Sequence, residues 1–392
     1  MKGVKYVSME GGYGVAAERT VAALAAAGVP VTWAPMQRGR GWGGHLEPST
    51  RRDLGPPALR ALCNRPLDYE AVIVHTVPEY FPRWAERERG RRILGYTTWE
   101  TDRLPPAWPA LLRRVDALAV PCAWNAEVFA RDTGVRPAVI PHPCDPAPLP
   151  AVPRSTDEFC FLVVGTWLER KGLADTVTAF CRAFTRRDRV RLIVKTSRHI
   201  PVGRRWPWSL RGRPGRAVRR LFGEGRRAVA PAVARIRRGF PDAPPVELVT
   251  DTLSDDGMRA LLARSDAYVA LCRGEGWGLG AFDAAAHGRP VAMTGFGGPL
   301  DYLDPRRAWL IDYDLESCAV AEEELQGSYR PEQRWARPRF DHAVACLRAI
   351  REQPEEARRK ALDLARDIRM RFAPAAVAER WRDVLTSRAG AH

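Results

Sequence analysis

The chain has 392 residues and a formal net charge of +16, a length that exceeds one ordinary hydrophobic core and implies two domains. A composition of 45% hydrophobic and 28% charged residues excludes a disordered chain. The basic excess points to nucleic acid, an anionic membrane surface, or a phosphorylated or acidic substrate, yet only five of the 62 basic residues are Lys. That Arg bias also marks a GC-rich genome, so the charge informs only once it is located. The eight Cys are scattered with no CxxC pair, which argues against a zinc site and a disulfide framework and favours a reducing compartment. The amino terminus has no long apolar run, and no window of about 18 apolar residues occurs. The expectation is a cytoplasmic protein.

In chain order, Lys5–Met9 reads as a strand, Gly11–Gly14 as a glycine turn and Val15–Ala27 as a helix stopped by Gly28. Strands follow at Val29–Ala34, Ala71–Val74, Arg92–Tyr96 and Leu118–Pro121, then a helix over Ala123–Thr133 and a strand at Val139–Pro141. Residues 145–158 are rich in Pro and polar groups, poor material for helix or sheet, and read as a linker. The rhythm then restarts with strands at Phe159–Gly165, Arg191–Thr196, Pro245–Val249, Ala267–Leu271 and Pro290–Thr294. Helices alternate with them at Leu173–Thr185, Ser254–Arg264 and Leu279–His287, with Ser254 as a cap. Strands alternating with helices imply parallel α/β units, with ligands held at the carboxyl ends of the strands. Helices at Phe340–Arg351, Glu355–Arg371 and Pro374–Thr386 complete the chain.

One stretch breaks the pattern. Residues 198–238 hold thirteen Arg against one acidic residue, Glu224, together with Trp206, Trp208 and a helical stripe of Val218, Leu221, Phe222, Val229, Val233 and Ile236. It carries +12 of the net charge, leaving +4 on the remaining residues. Two readings compete: a solvated loop, and an amphipathic basic element contacting an anionic membrane surface or an acidic acceptor. Pro231 and nearby glycines cut such a helix short. Nucleic acid is disfavoured because no recognised binding motif accompanies the charge.

The most informative segment runs from Arg273 to Pro290, RGEGWGLGAFDAAAHGRP. A strand end leads into glycines at 274, 276, 278 and 280 and then a helix start, which together bring backbone N–H groups and a positive dipole end toward an anionic or hydroxylated ligand. Glu275 and Asp283 flank that turn eight residues apart, each able to accept hydroxyl hydrogen bonds.

This segment resembles the E-x7-E signature of retaining GT-B glycosyltransferases of the GT4 type, with Asp283 where the family has a second Glu. Gly165–Gly172 (GTWLERKG) is similar to the family's G-R-x-x-x-x-K-G turn, and Gly288–Pro299 with Asp301 to its G-x-P-V…GG-P…E continuation. Gly11–Gly14 resembles its amino-terminal glycine loop, and Pro141–Asp145 its P-N-G-x-D. The likeness spans the chain except 198–238. It implies an acceptor-side domain over 1–150, a nucleotide-sugar domain over 151–371 carrying the Arg-rich insertion, and a last segment, 372–392, returning to the first domain. The implied reaction is metal-independent hexosyl transfer, with retention, from a nucleotide-diphosphate sugar to a hydroxyl acceptor, without cofactor.

Residue by residue, the resemblance implies that Glu275 holds donor-sugar hydroxyls, that Asp283 binds the ribose, and that Gly276, Trp277, Gly278 and Leu279 cradle sugar and diphosphate. Lys171 neutralises the departing diphosphate, and Gly12 and Gly14 close the donor site. The family's Arg is replaced by Thr166, with Arg170 or Lys195 left as the compensating charge. In the family's catalytic-His position stands Gly95–Asp102 without a His; Trp99 offers a stacking face for the acceptor, Glu100 and Asp102 accept hydroxyls, and His75 is the alternative catalytic residue. Asp312–Asp314 is a DxD by pattern but lies past the donor motifs. A nucleotide-sugar epimerase on this scaffold, and a silent binding protein using the basic insertion, are the competing readings. The inner face of the membrane is the alternative contact for the insertion.

Overall fold

The computed structural model describes residues 2–9, 11–38, 46–152, 158–200, 227–318 and 328–387. The first sheet contains β1 (Val4–Ser8), β2 (Val31–Arg38), β3 (Leu46–Pro48), β4 (Ala71–His75), β5 (Arg92–Tyr96), β6 (Ala117–Val120) and β7 (Ala138–Val139), in the order β3-β2-β1-β4-β5-β6-β7. All neighbours are parallel except β2 and β3. After β8 (Phe159–Val164) and β9 (Val190–Lys195) comes a short antiparallel pair, β10 (His199–Ile200) with β11 (Arg227–Ala228). Strands β12 (Val246–Val249), β13 (Ala267–Ala270), β14 (Val291–Thr294) and β15 (Trp309–Ile311) complete a parallel second sheet, ordered β12-β9-β8-β13-β14-β15. The apolar runs Ala71–Val74 and Phe161–Val163 are buried because helices cover both faces of each sheet. This is the GT-B architecture: two Rossmann-like domains face each other across a cleft, with chain order reversing beside β1 in one and β8 in the other.

Several elements escaped the sequence reading. Helix α1 spans Gly12–Ala26, so Gly12 and Gly14 lie in its first turn rather than in a preceding loop. A hairpin of β16 (Tyr313–Ser317) and β17 (Arg334–Pro338) follows the second sheet. It lacks a clean alternation of polar and apolar residues, which hid it. Asp314 of the DxD pattern lies on β16, held by Arg337 and Arg339. All eight cysteines are free thiols.

The insertion is only partly separate from the fold. Helix Val229–Arg238 packs on helix Leu173–Ala183, burying Val229 and Val233 in the second domain's core. Pro231 does not shorten it, because a first-turn proline sacrifices an N–H that has no helical partner anyway. Its Arg235, Arg237 and Arg238 fill the last turn, where cations meet the helix dipole's negative end. Val218, Leu221 and Phe222 of the stripe, and Trp206 and Trp208, lie outside the described residues.

Helix Pro374–Thr386 lies against α1 in the first domain. Trp381 is fully buried, edge-on to Tyr96 and Tyr6 at ring-centroid separations of 5.1 and 6.4 Å. Arg92 on β5 donates to the carbonyls of Val384 and Leu385, capping the helix's carboxyl end. Replacing Trp381 with Ala is expected to cost about 3–5 kcal/mol, measured as a lowered urea midpoint for the transition that reports on the first domain; an unchanged midpoint would show that the helix is dispensable to that core.

Candidate active site

The cleft has two chambers. The polar one, about 540 Å3, is lined from the first domain by Gly12, Tyr13, His75, Thr98, Glu100 and His142. The second domain contributes Thr166, Arg170, Lys171, Lys195, Glu275 and the turn Gly276–Gly280. Each element delivers its residue from a strand's carboxyl end: Gly12 and Tyr13 follow β1, His75 ends β4, Thr166 follows β8 and Glu275 follows β13. The other chamber, about 600 Å3, is mostly apolar and lies between α1 and the second domain, where Asp283 reaches it. Val164, Met258, Leu279 and Gly280 line both, so the two chambers adjoin.

The structure brings Lys171 and Glu275 together at 2.6 Å. Arg170 is 7% exposed. Its Nη1 donates to Gly274 O at 2.9 Å and stands 3.5 Å from Glu100 and 3.9 Å from Glu275. This guanidinium therefore balances two carboxylates contributed by different domains. Lys195 ends β9, faces the same chamber, and has its Nζ 3.4 Å from Thr196 O, with no carboxylate paired to it among the described residues. Burial lowers its pKa, against the opposing pull of Asp251.

The turn itself is squeezed between domains. A Cβ on Gly274 would collide with Glu100 O, and one on Gly276 with Thr98 Oγ1. These glycines are needed for a backbone approach to the first domain, as well as for the ligand approach expected from the sequence. Gly278 has φ +79° and caps helix Leu279–Ala286, whose first N–H groups open on the polar chamber. Tyr302 fixes the turn by donating to the carbonyls of Trp277 and Gly278, while the Trp277 ring packs on His142, Phe282 and Phe372.

Two acceptor-side expectations are corrected. Trp99 is 2% exposed; its ring stacks on Tyr329 and meets Trp108 edge-on, and its Nε1 donates to Thr101 Oγ1 and Arg103 O. No ring face is left for a sugar. Asp102 is gripped by Arg334, accepting from its backbone N at 2.6 Å and its Nε at 2.8 Å. Both residues anchor the β16–β17 hairpin onto the first domain. Glu100, between them, does reach the chamber. Gly14 is not among the lining residues, whereas its neighbour Tyr13 is, its hydroxyl bonded to Thr97 and Thr98. Asp283 is held by Arg19 of α1.

His75 lies beside a second imidazole, one to which no role was assigned from its sequence context. His142 is 5.7 Å from it, centroid to centroid, and both are buried. Tyr6 OH lies 2.9 Å from His75 Nδ1, and Tyr96 OH 3.0 Å from His142 Nδ1. Tyr96 spends its single proton on Ile140 O at 2.6 Å, so Nδ1 of His142 carries a hydrogen and Nε2 is the acceptor. Burial, reinforced by His142, drives the pKa of His75 well below normal; burial and then Arg19 lower His142 to about 3. Both rings are neutral at physiological pH. Among the described residues no group of three or more His, Cys, Asp or Glu is placed to hold a metal ion, and no helix is long and apolar enough to cross a membrane.

The GT-B likeness extends to solved structures. Sucrose-phosphate synthase from Thermosynechococcus elongatus superposes with a TM-score of 0.64 at 16% identity, over 98% of this chain and 98% of that one. Anabaena HepE, solved with UDP and glucose, gives 0.61 at 11% identity, over 99% and 100%. S. aureus TarM, solved with UDP, fondaparinux and alpha-GlcNAc-glycerol, gives 0.58 at 11% identity over 81% of this chain. The chain spans about half of TarM's length, 55%. At these identities the likeness is one of fold. Residues 209–326 match the family model described as Glycosyl transferases group 1, a match confined to the second domain. Among curated protein sequences no significant match is found.

The buried imidazoles dictate acid lability. In the unfolded chain a histidine binds its proton near pH 6.5, whereas folded His142 resists protonation down to about 3. Its contribution is complete above pH 6.5 and is lost as the pH falls through that window, at up to about 1.4 kcal/mol per unit. His142→Asn, which keeps a donor near Nδ1, is expected to flatten the fall in urea-unfolding free energy between pH 6.5 and 4.5; an unaltered slope would remove His142 from the account.

Proposed function

We propose that the protein is a retaining, metal-independent glycosyltransferase that moves a sugar from a nucleotide-diphosphate sugar to an acceptor hydroxyl. The observation that carries this reading is the pair of adjoining chambers in the cleft. Its polar chamber holds two Lys ammonium groups, a helix amino terminus and two carboxylates, suited to a diphosphate and a hydroxylated ring. Its apolar chamber, with the Asp283 carboxylate in its wall, suits a flat base and a ribose. The family match and the nucleotide-bound neighbours support the same donor class, with UDP-sugars the first to test.

The residues divide the work as follows. Glu275 accepts hydroxyl hydrogen bonds from the donor sugar, and Lys171, held against it, has donors left over for the diphosphate. Arg170 is committed to Glu100 and Glu275, so Lys195 supplies the second phosphate charge in place of the Arg that Thr166 replaces. Helix Leu279–Ala286 points its N–H groups at the same phosphates. These charges stabilise the leaving group as its bond breaks. The acceptor enters from the first domain, orienting its hydroxyl on Glu100 and attacking from the face the diphosphate leaves. His142 Nε2 and His75 meet the sugar as neutral hydrogen-bonding groups.

A donor screen reading released nucleoside diphosphate, with and without candidate acceptors, tests the reading. Glu275→Ala is expected to lower turnover about a hundredfold, the scale of one removed transition-state contact. Lys195→Ala is expected to weaken donor binding about tenfold, the scale of one charged hydrogen bond. Full turnover by Glu275→Ala, or donor consumed without acceptor and without released diphosphate, would refute the proposal, the latter result in favour of an epimerase.

A further inference from the structure

Helix α1 runs along the cleft. Gly12 in its first turn lines the polar chamber, and Arg19, seven residues and about 10 Å further on, lines the apolar one. There Arg19 makes a fork-on-fork contact with Asp283: Nη1 to Oδ1 at 2.6 Å and Nη2 to Oδ2 at 2.8 Å. The side chains are 19% and 26% exposed, so the pair is largely shielded from water. It joins the two domains across the cleft. Both ends are rigidly mounted: α1 is backed by helix Pro374–Thr386, and Asp283 lies on a helix whose cap is fixed by Tyr302 through Gly278 O.

A carboxylate has about four lone-pair positions, of which the fork uses two. The remaining two are free to accept hydroxyls. Without Arg19 the short Asp283 side chain would rotate freely; the fork sets its plane, and planar bidentate geometry is what guanidinium imposes and ammonium does not.

We propose that Arg19 is a positioning residue for the donor nucleotide: it orients the Asp283 carboxylate from the opposite domain, so that the ribose end of the site is complete only when the two domains are closed. This rests on the nucleotide-sugar reading above. The first domain thereby contributes to nucleotide affinity through Asp283, in addition to the residues it places around the polar chamber. A nucleotide that engages Asp283 favours the closed arrangement, because Asp283 oriented by Arg19 binds it better.

The test is calorimetric titration of UDP and GDP into the full chain and its variants, with thermal unfolding to verify that each is folded. Arg19→Ala is expected to weaken binding of the preferred nucleotide about tenfold, and Arg19→Lys, which keeps the charge but loses the fork, by an intermediate factor. In Asp283→Ala background, Arg19→Ala should add nothing, since its effect passes through that carboxylate. Wild-type binding with no change in Arg19→Ala overturns the inference and leaves the nucleotide-sugar reading intact. Losses that multiply in the double variant, or tighter binding by Arg19→Ala, also overturn it, the latter making the pair a lock that the nucleotide must break. A wild-type chain that binds neither nucleotide overturns the reading and the inference together.

Discussion

The cleft depends on one steric constraint: the turn after β13 lies directly on the Thr98–Glu100 segment, with no room for a side chain at Gly274 or Gly276. That contact sets how closely the two domains can approach. Cys122 Sγ–H donates to Gly276 O and Gly298 N to Glu275 O, so both sides of the turn are pinned once it is seated. With the turn in place, Glu275 and Glu100 stand on either side of Arg170, and Lys171 has its carboxylate partner. A bulkier turn would part the two half-buried carboxylates from their shared, buried cation and leave these charges poorly matched, a costly arrangement where water is largely excluded.

The electrostatics of the cleft follow from this approach. The first domain contributes groups that are uncharged or anionic to the polar chamber: two neutral imidazoles, Tyr13 and Glu100. The second contributes the cations and the helix terminus. The polar chamber is therefore asymmetric, with uncharged or anionic groups on one wall and cations on the other, a division that a charged histidine would spoil. The Tyr6–His75 and Tyr96–His142 contacts keep these rings buried and oriented, while Trp277 packs edge-on against His142.

The sequence was informative wherever a single element determined the outcome. Uninterrupted apolar runs such as Val72-Ile73-Val74 located buried parallel strands, Ser254 located a helix start that accepts from Gly257 N as expected, and alternating glycines located the turn after β13. It was uninformative wherever two distant segments meet. Arg19 reads as an ordinary polar position on a helix, and only domain packing sets it against Asp283. Trp99 reads as an exposed aromatic beside polar residues, and only the arrival of Tyr329, more than two hundred residues later, covers it. His142 is one residue in a proline-rich stretch until Tyr96 and Trp277 close around it. The charge of the insertion was legible, but whether a basic helix floats or packs depends on Val229 and Val233 finding the second domain's core.

The placement of helix Pro374–Thr386 bears on how the protein is made. The surface it covers on the first domain, around Tyr6 and Tyr96, is built from residues before the second domain, yet its cover is synthesised only after that domain. On the ribosome the first domain must therefore persist with an uncovered aromatic face while the entire second domain emerges. Chaperone dependence during synthesis, and not activity of the finished protein, is where that ordering would be felt.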